Sequence, residues 1–130
     1  TNGYTYSAHP VSCAAALKNI EIFENERILE NVRNVSPHFQ KRLQDLMKYN
    51  IVGDARGMGL LGCIECKAED LEAERSLGSK IDQACEELGL LVRPLINMAV
   101  FSPPLIITLK QIDEMFDILE AAIIKVESEL

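Results

Sequence analysis

The sequence has no excess of positive charge: 13 lysine and arginine residues stand against 20 aspartate and glutamate residues, which gives a net charge of −7. Nucleic acids and anionic membranes attract proteins through basic patches, so this balance argues against both as partners. No apolar run approaches the roughly 18 residues that a membrane-spanning helix needs, and residues 1–7 lack the basic and apolar segments of a signal peptide. We therefore expect a soluble, cytoplasmic protein.

Cysteine is also scarce, with 4 residues in 130. Cys63 and Cys66 form a lone C-x-x-C motif without the second pair of ligands that a zinc site requires. A redox C-x-x-C would open a helix, whereas this pair lies in a predicted strand, where positions three apart point to opposite faces. The sequence predicts reduced thiols and neither a metal site nor a redox site.

What is present is the composition of a folded domain, with 48% hydrophobic and 25% charged residues. Pro10 and the alanine-rich stretch 11–24 predict a helix, and a second helix is predicted from Arg27 to Lys48. Its apolar positions keep their helical phase on both sides of Pro37, which favours a kinked but continuous helix over a new helix start at Ser36.

The second half alternates short apolar runs with helical periodicity. Strands are predicted at 60–66, 90–95 and 98–102, a helix at 71–88 with Gly89 as its C-cap, and a final helix at about 109–127. Thr108 and Gln111 have the spacing of a capping box. Gly57-x-Gly59 leads into a strand and not into a helix, so it is no phosphate loop. Together these elements predict an α+β domain with short strands covered on one side by long helices.

Four segments of the chain resemble one enzyme family. They are residues 3–17 (GYTYSAHPVSCAAAL), 52–60 (VGDARGMGL), 89–95 (GLLVRPL) and 102–108 (SPPLIIT). In this order and spacing they are similar to signatures of the class-III aminotransferases, which depend on pyridoxal phosphate (PLP), and most of all to the omega-amino acid:pyruvate transaminase type. The chain departs from the pattern at Ala8, where the family usually has glycine, and we expect little consequence.

The resemblance implies the C-terminal part of a fold-type-I PLP-dependent transferase. Residues 1–25 would be a cofactor-phosphate loop and a connecting helix, and residues 26–130 the small domain. The expected architecture is a short, mostly antiparallel sheet with long helices packed on one side, preceded by a long interdomain helix. Members of the family work as homodimers with active sites at the subunit interface.

The same resemblance assigns candidate site residues. Thr5 would bind the PLP phosphate across the dimer interface, in the neighbouring subunit's site, with Tyr4 beside it. A hydroxyl and free backbone amides in a loop before a helix suit a phosphate dianion. Arg93 would bind the substrate carboxylate, because a guanidinium can hold a carboxylate through two hydrogen bonds. His9 has the simpler interpretation of satisfying local backbone groups.

The lysine that forms the Schiff base with PLP is expected upstream of residue 1. No lysine of this chain stands in the setting that the family requires, so we expect no catalytic residue here and no transamination by the chain alone. The abrupt start within a motif favours a fragment of a longer enzyme. Alternatives are other class-III members (4-aminobutyrate, ornithine-type and diaminopelargonate aminotransferases, or an aminomutase) and a non-catalytic acidic interaction domain.

Overall fold

The computed structural model describes residues 3–130, which contain four α-helices, one 3₁₀ turn and a four-stranded sheet. In chain order the elements are α1 (Pro10–Asn25), α2 (Ile28–Asp45), the 3₁₀ turn (Leu46–Lys48), β1 (Val52–Met58), β2 (Leu61–Cys66), α3 (Leu71–Glu87), β3 (Arg93–Leu95), β4 (Met98–Phe101) and α4 (Leu109–Ser128).

The sheet has the order β1-β2-β4-β3, and every neighbouring pair is antiparallel. Ile64 of β2 lies opposite Ala99 of β4, and both are fully buried against the helices. Cys63 and Val100, also opposite each other, are half-buried and belong to the other face, which we call the open face. The predicted α+β class, with helices on one side of a short antiparallel sheet, is confirmed.

Two details of the predicted strands are wrong. Residues 52–58, for which no strand was predicted, form β1 and pair with β2 through a tight turn in which Gly59 has φ +61°. The strand predicted at 90–95 contains only 93–95. The amide of Leu90 donates instead to the carbonyl of Cys85 (2.8 Å), so this residue belongs to the C-cap of α3 and not to the sheet.

The helix predictions agree closely with the structure. α2 continues through Pro37, and its apolar stripe buries Val35, Phe39 and Leu43. Thr108 and Gln111 form the predicted capping box of α4. Gly89 follows α3 with φ +89°, as a C-capping glycine does. α1 begins at Pro10 as predicted but has no buried residue.

A polar cluster joins α2 to α4 at the edge of the core. Asp113 accepts hydrogen bonds from His38 Nε2 (2.7 Å) and Arg42 Nη1 (2.6 Å). These two bonds, that from His38 first, lower the pKa of the Asp113 carboxyl. Arg42 also pairs with Asp117 and lies over the ring of Phe116, 5.6 Å from its centroid. The cluster fixes the two helices relative to each other.

The contact between α2 and β2 depends on the absence of a side chain at position 62. A Cβ atom at Gly62 would lie 2.7 Å from Leu43 Cδ2 and 2.9 Å from Phe39 Cε1. Both neighbouring side chains are fully buried, so neither has space to move aside.

We expect Gly62→Ala to lower the free energy of unfolding by about 1–3 kcal/mol, because the added methyl group overpacks this contact. Urea denaturation of the chain measures the change. Gly3→Ala is the control: a Cβ there has no neighbour within 4 Å, so its effect should stay within about 0.5 kcal/mol. Equal stability of Gly62→Ala and the unsubstituted chain would contradict the packing described.

Candidate functional site

The loop before α1 is held in two turns by its own hydrogen bonds. The amide of Ser7 donates to the carbonyl of Tyr4 (3.0 Å), and the amide of Tyr4 donates to the hydroxyl of Ser7 (3.2 Å). A second turn closes where the amide of His9 donates to the carbonyl of Tyr6 (3.3 Å). Tyr4 and Tyr6 are 76% and 83% exposed. Local hydrogen bonds, and not packing, therefore give the loop its shape.

Several hydrogen-bond donors of this loop have no partner within residues 3–130. Thr5 is exposed, and neither its hydroxyl nor the amides of Thr5 and Tyr6 donate to another described residue. The loop leads into α1, whose N-cap residue His9 makes no side-chain capping bond. The carbonyl of His9 accepts the first backbone bond of the helix, from the amide of Cys13 (3.0 Å), so its backbone and not its side chain contributes to the helix start. A hydroxyl, free amides and an uncapped helix start suit an anion such as a phosphate.

Arg93 stands at the edge of the open face, at the end of a row that crosses all four strands. In this row Arg56 lies opposite Cys63, Cys63 opposite Val100, and Val100 opposite Arg93. The two arginines at its ends, Arg56 on β1 and Arg93 on β3, are the charged members of the row.

The two arginines differ in their partners. Arg56 Nη1 contacts Asp54 Oδ2 (2.5 Å) and Glu65 Oε2 (2.6 Å), and these carboxylates raise the pKa of the guanidinium further. Arg93 is exposed and has no ion-pair partner among residues 3–130. Arg93 can therefore bind an external carboxylate without first breaking an ion pair, whereas Arg56 cannot.

A groove of about 490 Å³ borders Arg93. It opens where the segments before β3 and after β4 diverge, and apolar residues form most of its lining, among them Leu91, Val100, Phe101 and Met115. An apolar groove with one free guanidinium at its border suits a small carboxylate with an apolar body.

The chain's lysines share one property: all seven are exposed (Lys18, Lys41, Lys48, Lys67, Lys80, Lys110 and Lys125). Several are paired on helix surfaces, such as Lys18 with Glu21 and Lys125 with Glu87. This is the surface placement that their helical positions predicted. A lysine that forms a Schiff base is instead usually desolvated.

The C-x-x-C cysteines lie on different faces of β2, as predicted. Cys63 is half-buried on the open face and Cys66 is buried on the helix face. Burial raises the pKa of the Cys66 thiol to about 11. No group of three or more potential metal ligands occurs within residues 3–130.

The structure does not join the predicted site residues to one another. No hydrogen bond among the described residues links Tyr4 or Thr5 to Arg93, which lie in separate elements. The sequence analysis did not single out Val100, which lies opposite Arg93, or Asn97, which lies in the loop between β3 and β4. The placement of Asn97 between two short apolar runs is a typical turn signal and could have identified it.

The chain belongs to the class-III aminotransferase family, whose model matches residues 1–123. It is 38% identical over 119 residues to a putrescine–pyruvate aminotransferase of Pseudomonas aeruginosa, with 88% of this chain and 26% of that protein aligned. It is also 38% identical over 120 residues to the chloroplastic gamma aminobutyrate transaminase 3 of Solanum lycopersicum, with 88% and 23% aligned. The chain therefore spans about a quarter of the length of these relatives.

Solved structures of transaminases share the fold. A PMP-bound aminotransferase from Vibrio fluvialis superposes with a TM-score of 0.88 at 40% identity, covering 98% of this chain and 29% of that one. An omega-aminotransferase from Paracoccus denitrificans gives 0.89 at 39% identity, covering 99% and 30%. None of the helices in residues 3–130 is long and apolar enough to cross a membrane.

The departure at Ala8 has a conformational cost. Ala8 has φ +59°, in the left-handed region that glycine adopts freely and alanine does not. It is the third residue of the turn that the amide of His9 closes, the position at which a type II turn favours glycine. A glycine at this position would therefore fit the observed backbone better than Ala8 does.

We expect Ala8→Gly to stabilise the second turn by about 1 kcal/mol, because glycine removes the steric cost of the left-handed conformation. Hydrogen exchange of the His9 amide, measured by NMR, should slow by about fivefold, the equivalent of that energy. Ala15→Gly is the control: residue 15 lies within α1 and has no positive φ, so glycine there weakens the helix and relieves no strain. Faster exchange at His9 in Ala8→Gly would refute the strained turn.

Proposed function

We propose that this chain is the C-terminal part of a PLP-dependent aminotransferase. The whole enzyme would transfer an amino group between an amine or omega-amino acid and a 2-oxo acid such as pyruvate. The observation that carries the proposal is the free guanidinium of Arg93 beside an apolar groove, in a chain of this family. Bound PLP would supply the electron sink of the reaction.

The N-terminal loop has the donors that a phosphate group needs. The Thr5 hydroxyl and the amides of Thr5 and Tyr6 are free among the described residues, and the turn closed by Tyr4 and Ser7 holds them in place. The exposure of Tyr4 and Thr5 fits a loop completed by another surface. We therefore propose that Thr5, with Tyr4 beside it, binds the PLP phosphate in the neighbouring subunit of a cytoplasmic homodimer.

Arg93 would set the orientation of the substrate. Its guanidinium can hold a carboxylate through two hydrogen bonds while the apolar body of the substrate lies along the groove. Because no carboxylate of residues 3–130 pairs with it, the side chain can also turn away when the substrate is an uncharged amine. One site could then accept both substrates that carry a carboxylate and uncharged amines.

The burial of side chains supports a division of the chain at about residue 25. α1 has no buried residue, although it carries large apolar side chains such as Leu17 and Ile20. No residue of α1 therefore belongs to the core that residues 26–130 build. We propose that residues 1–25 are the cofactor-phosphate loop and connecting helix, and residues 26–130 the small domain.

A second candidate is another class-III aminotransferase activity. The similarity to a gamma aminobutyrate transaminase, equal in identity to that with the putrescine–pyruvate enzyme, favours 4-aminobutyrate as an amino donor. Comparing amino donors with pyruvate as the acceptor distinguishes the two. A non-catalytic interaction domain would be favoured only if the parent gene encoded no lysine shortly before Thr1.

Thr5→Ala in the full-length enzyme should weaken PLP retention by about tenfold to a hundredfold, since a hydrogen bond to a charged group contributes about 1.5–3 kcal/mol. Thr5→Ser keeps the hydroxyl and is the matched control. Dialysis followed by quantification of the remaining PLP measures the effect. Unchanged retention in Thr5→Ala would remove Thr5 from the phosphate site.

Arg93→Ala should raise KM for substrates with a carboxylate by about tenfold to a hundredfold and leave simple amines within about twofold, because only the former lose a charge-assisted hydrogen bond. Arg75→Ala, which removes another exposed arginine, on α3, is the control. Steady-state kinetics with both substrate types provides the comparison. Equal losses for both types would exclude Arg93 from substrate binding.

A further inference from the structure

The turn that connects β3 to β4 has an unfavourable backbone conformation. Leu95 lies opposite Met98, so Ile96 and Asn97 are the two residues of the hairpin loop. Ile96 has φ +61°, a left-handed value that is unusual for a β-branched residue. Its side chain is 57% exposed, so burial of that side chain does not offset the cost. Contacts elsewhere in the turn must hold it in place.

Asn97 supplies those contacts. Among residues 3–130 it is the one buried polar residue, with 7% of its surface exposed. Its side-chain Nδ2 donates to the carbonyl of Cys66 (3.3 Å) and to Glu74 Oε2 on α3 (3.1 Å). Its backbone carbonyl accepts from the amide of Cys66 (2.8 Å). One residue thus ties the hairpin to the end of β2 and to α3.

α3 also packs closely against the loop between β3 and β4. A Cβ atom at Gly78 would lie 3.0 Å from the carbonyl oxygen of Ile96 and 3.2 Å from Cα of Asn97. The helix can approach the turn this closely only because residue 78 has no side chain. The turn is therefore fixed by α3 as well as by the hydrogen bonds of Asn97.

β3 is held by its pairing with β4 and by its packing against α3. It is an edge strand of three residues whose only strand neighbour within residues 3–130 is β4, and Pro94 in its centre has no amide to donate. Arg93 is only two residues before Leu95, where the loop begins. The position of the Arg93 backbone therefore depends on the turn that Asn97 anchors.

We propose that Asn97 is a positioning residue for Arg93: its two side-chain hydrogen bonds hold the strained Ile96 turn and thereby fix the edge strand that presents the guanidinium to the substrate carboxylate. The inference rests on the proposed role of Arg93. It assigns to Asn97 no contact with substrate or cofactor.

The test is Asn97→Asp in the full-length enzyme. Aspartate has the same shape, but it loses the amide donor and places a second carboxylate against Glu74. KM for carboxylate substrates should rise about threefold to tenfold, the range expected from losing one or two hydrogen bonds. The kcat values and the KM for simple amines should stay within about twofold. A uniform loss for both substrate types would overturn the proposal, since it would indicate a general structural effect.

A matched control is available at the other edge of the sheet. Gln44 Nε2 also donates from a side-chain amide to a strand carbonyl, that of Ala55 on β1, far from β3 in the strand order. Gln44→Glu should leave the ratio of KM values for carboxylate and amine substrates unchanged. A shift of this ratio as large as in Asn97→Asp would also overturn the proposal.

Restoring a hydrogen bond gives the sharpest comparison. In the double variant Asn97→Asp with Glu74→Gln, the glutamine amide can donate to the new aspartate. The hydrogen bond between positions 74 and 97 is then restored, with residue 74 as the donor. KM for carboxylate substrates should recover in part, and amide exchange of residues 93–101, measured by mass spectrometry, should slow towards that of the unsubstituted enzyme. Failure of both to recover would count against the proposal.

Arg93→Ala separates failure of this proposal from failure of the proposed function. If Arg93→Ala shows no selective loss for carboxylate substrates, the role of Arg93 is wrong, and the proposal for Asn97 is wrong with it. If Arg93→Ala is selective and Asn97→Asp is not, the role of Arg93 stands and only the inference about Asn97 is overturned.

Discussion

The packing of Phe39 between the sheet and the helices is the contact on which the rest of the fold depends. Its ring meets Phe116 of α4 edge to face, with centroids 5.3 Å apart, and it lies directly over Gly62 of β2. Three elements that are distant in sequence thus meet at one fully buried side chain. Such a contact contributes through both buried area and aromatic geometry. Fixing α2 and α4 here places the core on one face of the sheet.

This arrangement leaves the open face of the sheet without a helix over it in residues 3–130. The row Arg56–Cys63–Val100–Arg93 lies across it, and the charges at its two ends have different surroundings. Arg56 is neutralised by Asp54 and Glu65, whereas Arg93 pairs with no carboxylate of residues 3–130. The difference follows from the residues around each arginine: Arg56 has Asp54 on its own strand and Glu65 on β2, whereas Arg93 lies opposite Val100 of the apolar β4. The acidic residues near Arg56 and their absence beside Arg93 in β4 leave only Arg93, of these two, without an ion pair within residues 3–130.

Much of the local structure could be predicted from short-range signals. The capping box of α4, the C-capping Gly89 and the continuous phase of α2 through Pro37 depend on residues within one or two helical turns, and each prediction is confirmed. Predictions failed where long-range pairing decides the outcome. The glycines of β1 weaken its strand signal in the sequence, and its pairing with β2 makes it a strand. Residues 90–92 do not extend β3, because Leu90 bonds to the C-terminal end of α3 instead. Intrinsic strand preference is weak against such context.

The sequence by itself determined the α+β class, the helices with their caps, and the family, because these rest on local periodicity and on motifs in a fixed order. It also named Tyr4, Thr5 and Arg93 through resemblance, and their roles remain proposals. Only the tertiary structure decided that Arg93 is free of ion pairs while Arg56 is not, that Ala8 and Ile96 adopt left-handed backbone conformations, and that Asn97 ties the β3–β4 hairpin to β2 and α3. Each of these depends on residues that are neighbours in space and distant in sequence, or on a turn whose dihedral angles no residue type alone specifies.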